Sequence, residues 1–358
     1  MKIIAEAGVN HNGDIDRAIA LVDAACEAGA HAVKFQTFRA ELLATSSADK
    51  AGYQKLATAG EESQLAMIRK LELSQESFCQ LAEHCAATGI EFLSTAFEEV
   101  SLNFLHDEIG LRTFKIASGE LTNMPLLLAH ARLADQLIVS TGMATLEEIE
   151  AALGVIAHGM ETAREVGERP GKEQFRAAFL RAMETGSLQD RVTLLHCTTE
   201  YPAPLNQINL RAMATLQNTF RLPVGYSDHT TGITVPVVAA ALGACVIEKH
   251  FTLDKSLPGP DHSMSLNPVE LTSMVSGIAD ILQTLGDGEK RPGEAESRNI
   301  ELVRKSLVAS RDIRAGEVFT ERNLSMKRPG SGVPPEAYWS YLGRTSDRDY
   351  RTDDLIQE

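Results

Sequence analysis

The chain has 358 residues, 44% hydrophobic and 23% charged, a balance that excludes a wholly disordered polypeptide and leaves room for a large core beside a second, smaller domain. Its formal net charge of −15 excludes a general affinity for nucleic acid or anionic membrane, both of which its overall field would repel. An anionic small molecule is still admitted, wherever cations are concentrated locally.

Five cysteines, Cys26, Cys79, Cys85, Cys197 and Cys245, are scattered without a CxxC pair, as expected of a protein in a reducing cytoplasm. The opening MKIIAEAGVNHNG lacks the apolar run of a signal peptide, and no apolar stretch approaches the ~18 residues of a membrane span. A cytoplasmic protein with no membrane partner is expected.

In chain order, eight short β-rich segments recur: 3-IIAEAGV-9, 32-AVKFQTF-38, 91-EFLSTAF-97, 113-TFKIASG-119, 137-LIVSTGM-143, 192-VTLLHCT-198, 223-PVGYSDH-229 and 245-CVIEKHF-251. Amphipathic stretches such as 15-IDRAIALVDAACEAG-29, 77-SFCQLAEHCAATG-89 and 234-TVPVVAAALGA-244 separate them. Eight strand and helix units predict an α/β fold whose parallel sheet closes into a TIM (β/α)8 barrel over 1–286. The long connection after the fifth segment, near 157–190, reads as an insertion on the helix side. Helix-like 269-VELTSMVSGIADILQTLG-286 gives way to a polar linker at 287–300. A small, mostly β domain is expected over 301–358, with a turn at Ala315 and Gly316 and a basic knot, 325-SMKRPGSG-332.

Nearly every segment begins apolar and ends polar, so polar groups collect at one rim, where barrel enzymes place their active sites. His229 and His250 stand 21 positions apart on the ends of adjacent strands and can reach one divalent ion, though an isolated pair is also compatible with a structural role. Lys34 and Lys115 sit within apolar strands. Buried lysines need anionic partners. Either they pair with carboxylates such as Glu6 or Glu120 to stabilise the barrel, or they bind a substrate anion with the hydroxyls of Thr95, Ser118, Ser140 and Ser227. Glu6 and Glu248 are candidates for general acid or base, and equally for salt-bridge partners. Cys197 follows His196 in LLHCT, and alternation is read as sending its thiol to the outer layer; Asp228, between Ser227 and His229, is read as pointing away from the rim.

In order along the chain, IAEAGVNHNG, VKFQTF, FLSTAF, KIASGE, STGM, HCTTEYPAP, GYSDHT, EKHFTLD and LPGPDH resemble the sialic acid synthase family, and RKSLVASRDIRAGEVFTERNLSMKRPGSG resembles that family's antifreeze-like, or SAF, domain. The resemblance implies condensation of phosphoenolpyruvate with an N-acetylated mannose-type sugar to give a nine-carbon 2-keto acid. It implies His229 and His250 as ligands of a divalent metal, Mn2+ foremost, with Mg2+ or Co2+ as alternatives. It assigns Lys34, Thr95, Lys115, Ser118, Ser140 and Ser227 to phosphoenolpyruvate, and Glu6 and Glu248 to catalysis. Gln36, Tyr201 and Asp261 fall near the sugar, as does Arg328, reaching across a domain-swapped homodimer. Thr199 stands where asparagine is frequent in the family. Together with HCTTEYPAP, this resembles the legionaminic acid branch, whose acceptor is 2,4-diacetamido-2,4,6-trideoxymannose. N-acetylneuraminate or pseudaminate synthesis are alternatives within the same chemistry; a noncatalytic saccharide-binding protein is the alternative outside it.

Overall fold

The computed structural model describes residues 1–58, 62–162 and 169–357. The chain divides into two units, Met1–Leu285 and Gly286–Glu358.

In the first unit eight strands close a parallel barrel in sequence order. They are β1 (Lys2–Gly8), β2 (Ala32–Thr37), β3 (Glu91–Ala96), β4 (Thr113–Ile116), β5 (Gln136–Ser140), β6 (Val192–Cys197), β7 (Val224–Asp228) and β8 (Val246–His250). Each falls within or beside a β-rich segment of the sequence. The helices between them are fixed at their ends by local chemistry. Asp14 accepts from the Arg17 amide at the start of Ile15–Glu27, and Ser74 does the same from Ser77 for Gln75–Thr88, which Gly89 terminates at φ +79°.

Strand alternation sorts the side chains into two cores. Outward residues such as Val33, Phe35, Phe114, Val139, Leu194 and Ile247 pack under the helices. Inward residues are layered: Ile4, Ala32, Leu93, Ile138, Leu195 and Val246 plug the N-terminal end. One residue pair further along each strand, the inward positions turn polar. At β7 the plug has no room for a side chain: a Cβ on Gly225 would stand 2.5 Å from the Val246 carbonyl oxygen and 2.6 Å from Leu195 Cδ2.

Two sequence expectations need correction. Part of the proposed insertion continues the helix Leu146–Glu161, whose Ala157 and His158 are buried. A second helix, Lys172–Thr185, buries Ala178, Phe179 and Ala182, and the His158 ring meets Phe175 edge-on at 5.4 Å. Residues 163–168 of that stretch lie outside the described residues. The supposed linker is helical in its second half, Glu294–Val303, supported by an Arg298–Glu294 pair one turn apart at 2.8 Å. None of this helix's residues is buried, so it lacks the apolar face by which a helix is read from sequence.

The second unit holds a small antiparallel sheet, β9 (Ser306–Ala309) with β10 (Leu324–Lys327), extended by single bridges Ile313–Tyr350 and Val318–Thr345. Leu307, Phe319, Leu324, Val333, Tyr350 and Ile356 form its own core. Among the described residues, no helix is long and apolar enough to cross a membrane.

On the outer side of β7 and β8, Asp228 and Lys249 are fully buried and paired at 2.5 Å. Asp228 also accepts from the Tyr226 hydroxyl at 3.0 Å and from the Thr230 amide and hydroxyl at 3.1 and 3.0 Å. Removing one member of a buried pair strands the other. Lys249→Met is therefore expected to lower the unfolding free energy by about 3–5 kcal/mol, read from urea denaturation followed by circular dichroism; an unchanged midpoint would show that the pair contributes nothing.

Candidate active site

The polar layer of the barrel opens at the C-terminal ends of the strands into a cavity of about 360 Å³. Parallel register brings its members together: Glu6 lies beside Lys34 on one side and His250 on the other, Gln36 beside Thr95, Thr95 beside Lys115, and Ser227 beside Glu248.

Glu248 is the hub. Its Oε1 accepts from Lys115 Nζ at 3.1 Å and from Ser227 Oγ at 2.8 Å, while Oε2 stands 3.6 Å from Lys34 Nζ. Lys34 also meets Glu6 Oε2 at 2.6 Å and donates to Thr95 Oγ1 at 3.3 Å. Both lysines are thus paired with carboxylates, as a stabilising role requires, yet both line the cavity, as anion binding requires. Glu120, the other candidate partner, instead accepts from Asn123 Nδ2 at 2.8 Å.

This arrangement separates the two carboxylates. Burial works to raise Glu248, but Lys115, Lys34 and the Ser227 hydroxyl outweigh it and hold that carboxyl below its ordinary range. Burial pushes Glu6 up to about 7, opposed by Lys34 and reinforced by the charge on Glu248. Glu248 is a fixed anion; Glu6 can hold or release a proton near neutrality. Burial lowers the Lys34 ammonium's proton affinity, but Glu248 and Glu6 more than restore it, so it stays charged.

His229 and His250 face one another with ring centroids 5.7 Å apart, and Tyr201 packs 4.1 Å from the first ring and 6.0 Å from the second. His229 Nδ1 is bonded to the Thr198 carbonyl at 2.7 Å, which leaves Nε2 for the cavity. His250 Nδ1 is buried without a hydrogen-bond partner. Burial lowers His229 to about 4 and, with His229 beside it, holds His250 well below its ordinary value. Two neutral imidazoles, one orientated through a backbone carbonyl, suit a divalent cation whose remaining positions are filled by oxygen. Among the described residues, no third His, Cys, Asp or Glu stands with them at ligating distance. Asp261, raised by burial to about 6, lines the same cavity.

Gln36 donates to Glu6 Oε1 at 3.4 Å, so it lies at the hub's edge. Ser140 is buried with its hydroxyl unpartnered, and Ser118 lies just beyond β4 on a short turn, accepting from the Gly142 amide at 2.9 Å. Arg328 belongs to the second unit, where it is exposed and its Nε donates to the Val303 carbonyl at 2.9 Å.

The expectation for Cys197 is overturned. Cys197 shares its parity with Leu195 of the inner plug, so its thiol lines the cavity, 3.1 Å from Ser118 Oγ. His196 is the outward residue, its Nε2 bonded to the Ile208 carbonyl at 2.7 Å and its ring 5.8 Å from Tyr226. Thr199 also lines the cavity, with Oγ1 buried and unpartnered. Gly142 makes this corner possible, since a Cβ there would fall 2.8 Å from Ser118 Oγ and 2.9 Å from Cys197 Sγ.

Sequence reading missed a whole wall. Leu43, Met67, Ile68 and Leu71, from the connection between β2 and β3, line the cavity with Phe38 and Phe97. The signal was available in the length of that connection, far beyond the few residues and single helix that a βα unit needs.

Fold and site together define a TIM-barrel enzyme acting on an anionic substrate. The particular family follows from comparison: the NeuB family matches residues 21–290, and the SAF domain matches residues 304–358. The chain belongs to the NeuB family. It is 47% identical over 356 residues to the N,N′-diacetyllegionaminic acid synthase of Campylobacter jejuni, covering 99% of this chain and 98% of that one. To the enzyme of the same name from Legionella pneumophila it is 45% identical, over 95% and 89% of the two chains. A solved N-acetylneuraminic acid synthetase from Leptospira borgpetersenii, in complex with citrate, superposes with a TM-score of 0.65 at 34% identity, over 84% of this chain and 90% of that one.

Proposed function

We propose that the protein condenses phosphoenolpyruvate with 2,4-diacetamido-2,4,6-trideoxymannose to give N,N′-diacetyllegionaminate and phosphate, as a cytoplasmic homodimer using a divalent metal, Mn2+ foremost. The observation that carries this reading is the nearly full-length likeness to two N,N′-diacetyllegionaminic acid synthases.

Lys34 and Lys115, with Thr95, Ser118, Ser140 and Ser227, bind the phosphate and carboxylate of the donor. They supply local positive charge in a chain whose net charge is −15. Gln36, Tyr201 and Asp261 hold the sugar, and Arg328 of one subunit serves the sugar site of its partner. A divalent cation between His229 and His250 would polarise the open-chain aldehyde.

The methylene carbon of phosphoenolpyruvate forms a bond to the aldehyde carbon, whose carbonyl oxygen takes the electron pair and a proton. Water adds to the cationic carbon left at the former enol position and loses a proton. The tetrahedral carbon then expels phosphate by breaking its C–O bond while its hydroxyl proton passes to the departing phosphate, leaving the 2-keto acid. Glu6 carries these protons, standing beside both Lys34 and Gln36 in the floor. Glu248 keeps the two lysines in place as a permanent anion.

Phosphate release is measured with phosphoenolpyruvate, Mn2+ and, in turn, 2,4-diacetamido-2,4,6-trideoxymannose, N-acetylmannosamine and the acceptor of pseudaminate synthesis. The first is expected to give the highest kcat/KM, with the bridging oxygen of labelled phosphoenolpyruvate recovered in phosphate. No turnover with any acceptor would sink the reading. Glu6→Gln is expected to lower kcat by about 10²–10⁴-fold. Affinity for phosphoenolpyruvate, followed by calorimetry, should not fall, because both lysines keep their charge. His229→Ala is expected to abolish metal-dependent condensation and bound Mn2+, measured by elemental analysis, while the circular dichroism spectrum is retained; undiminished activity would refute the metal assignment.

A further inference from the structure

The cavity has two chemically different levels. Its floor is the charged and hydroxylated layer around Glu248. Above the floor, inward parity continues past the strand ends. Phe38 stands two residues beyond Gln36, and Phe97 two beyond Thr95, with the Phe97 amide prolonging the ladder to the Thr37 carbonyl at 3.3 Å. Val9 follows Glu6 after the irregularity in register at Glu6 and Gly8. Two residues of extended chain rise about 7 Å, a distance comparable with the span of a six-carbon chain.

At that height the wall is mostly apolar, with Gln54 and Gln64 of the connection between β2 and β3 as polar residues that also line the cavity. Phe38 and Phe97 meet edge-on with centroids 6.3 Å apart. Val9, Leu43, Met67 and Ile68 complete a cluster that is separate from both barrel cores. Leu43 closes the short helix Ala40–Leu43, and Met67 and Ile68 belong to Gln64–Arg69, so the two helices are held by one small cluster that also faces the cavity. A hydroxyl set against the apolar cluster of Val9, Phe38, Leu43, Met67 and Phe97, rather than against Gln54 or Gln64, would lose its water without a partner, whereas a methyl group would bury apolar surface there.

We infer that this collar selects an acceptor whose end remote from the aldehyde is a methyl group. Met67 and Leu43 are specificity-determining residues for a 6-deoxy sugar over its 6-hydroxy counterpart. The inference rests on the function proposed above and deepens it. The reacting carbon stands on the floor beside Glu6, His229 and His250, and the sugar rises along the barrel axis, placing carbon 6 at the level of Phe38 and Phe97. An apolar wall rejects an added hydroxyl only moderately, so discrimination of about 10- to 10²-fold is expected.

The test compares kcat/KM, by phosphate release, for 2,4-diacetamido-2,4,6-trideoxymannose and 2,4-diacetamido-2,4-dideoxymannose. The wild-type chain is set against Met67→Gln, close in volume but polar, and Leu43→Asn, at a partly buried position that tolerates a change should Met67→Gln fail to fold. Wild type is expected to prefer the 6-deoxy acceptor, and the variants to lose about 10-fold of that preference. The KM for phosphoenolpyruvate should stay unchanged, and Met67→Leu should keep the preference. Equal use of both acceptors by wild type, or loss of activity in the variants with an unchanged ratio, would overturn the inference while leaving the proposed reaction standing. Turnover of neither acceptor by wild type would overturn both.

Discussion

Glu248 lies between two ammonium groups and a serine hydroxyl at the centre of a barrel, bonded to Lys115 and Ser227 and facing Lys34. Two buried lysines without counter-charge would be expensive, and a lone buried carboxylate equally so. Placed together in one layer, they stabilise one another and leave net positive charge where two cations share a fixed anion. Glu6 is the variable member. Because Glu248 already answers both lysines, Glu6 is not forced into the ionised state, and burial can raise it into the range where proton transfer is useful. The same hub fixes the lysines in a chain whose overall charge repels anions.

That hub exists because alternation and register act jointly. Along each strand the inward residue of the lower layer is apolar, as with Ile4, Leu93, Ile138 and Leu195, and the next inward residue is polar, as with Glu6, Thr95, Ser140 and Cys197. Closure of β8 on β1 then sets Glu6 beside His250 and completes the ring. Beyond it, parity carried past the strand ends supplies Phe38 and Phe97. Plug, charged floor and apolar collar are successive turns of one pattern.

Much of this was legible in the sequence, because a two-residue period and polar strand ends are local properties. Eight strands, the barrel, and the rim positions of both histidines and both lysines could be read directly. Cys197 could not be placed as easily: in LLHCT either His196 or Cys197 can face inward, and only the pairing of Leu194 with Val224 and Cys197 with Ser227 settles which. The helix Glu294–Val303 escaped because it buries no face. The apolar wall escaped for the opposite reason. Leu43, Met67 and Ile68 look like ordinary core residues, and nothing in their spacing says that their cluster borders a cavity rather than the barrel.

The outer pair Asp228–Lys249 has a bearing on chemistry that its position hides. Ser227 lies opposite Glu248 and Asp228 opposite Lys249, so the functional contact and the structural one are adjacent rungs of the same ladder, facing opposite sides of the sheet. A slip of one residue between β7 and β8 would turn every side chain of the slipped strand to the wrong face. If β7 slipped it would bury Asp228 among the cavity hydroxyls, and if β8 slipped it would expel Glu248 from between its lysines. The outer pair, held further by Tyr226 and Thr230, makes that slip costly. Stability invested behind the sheet therefore fixes the geometry in front of it, and the aspartate of the YSDH motif serves the site through the register it enforces.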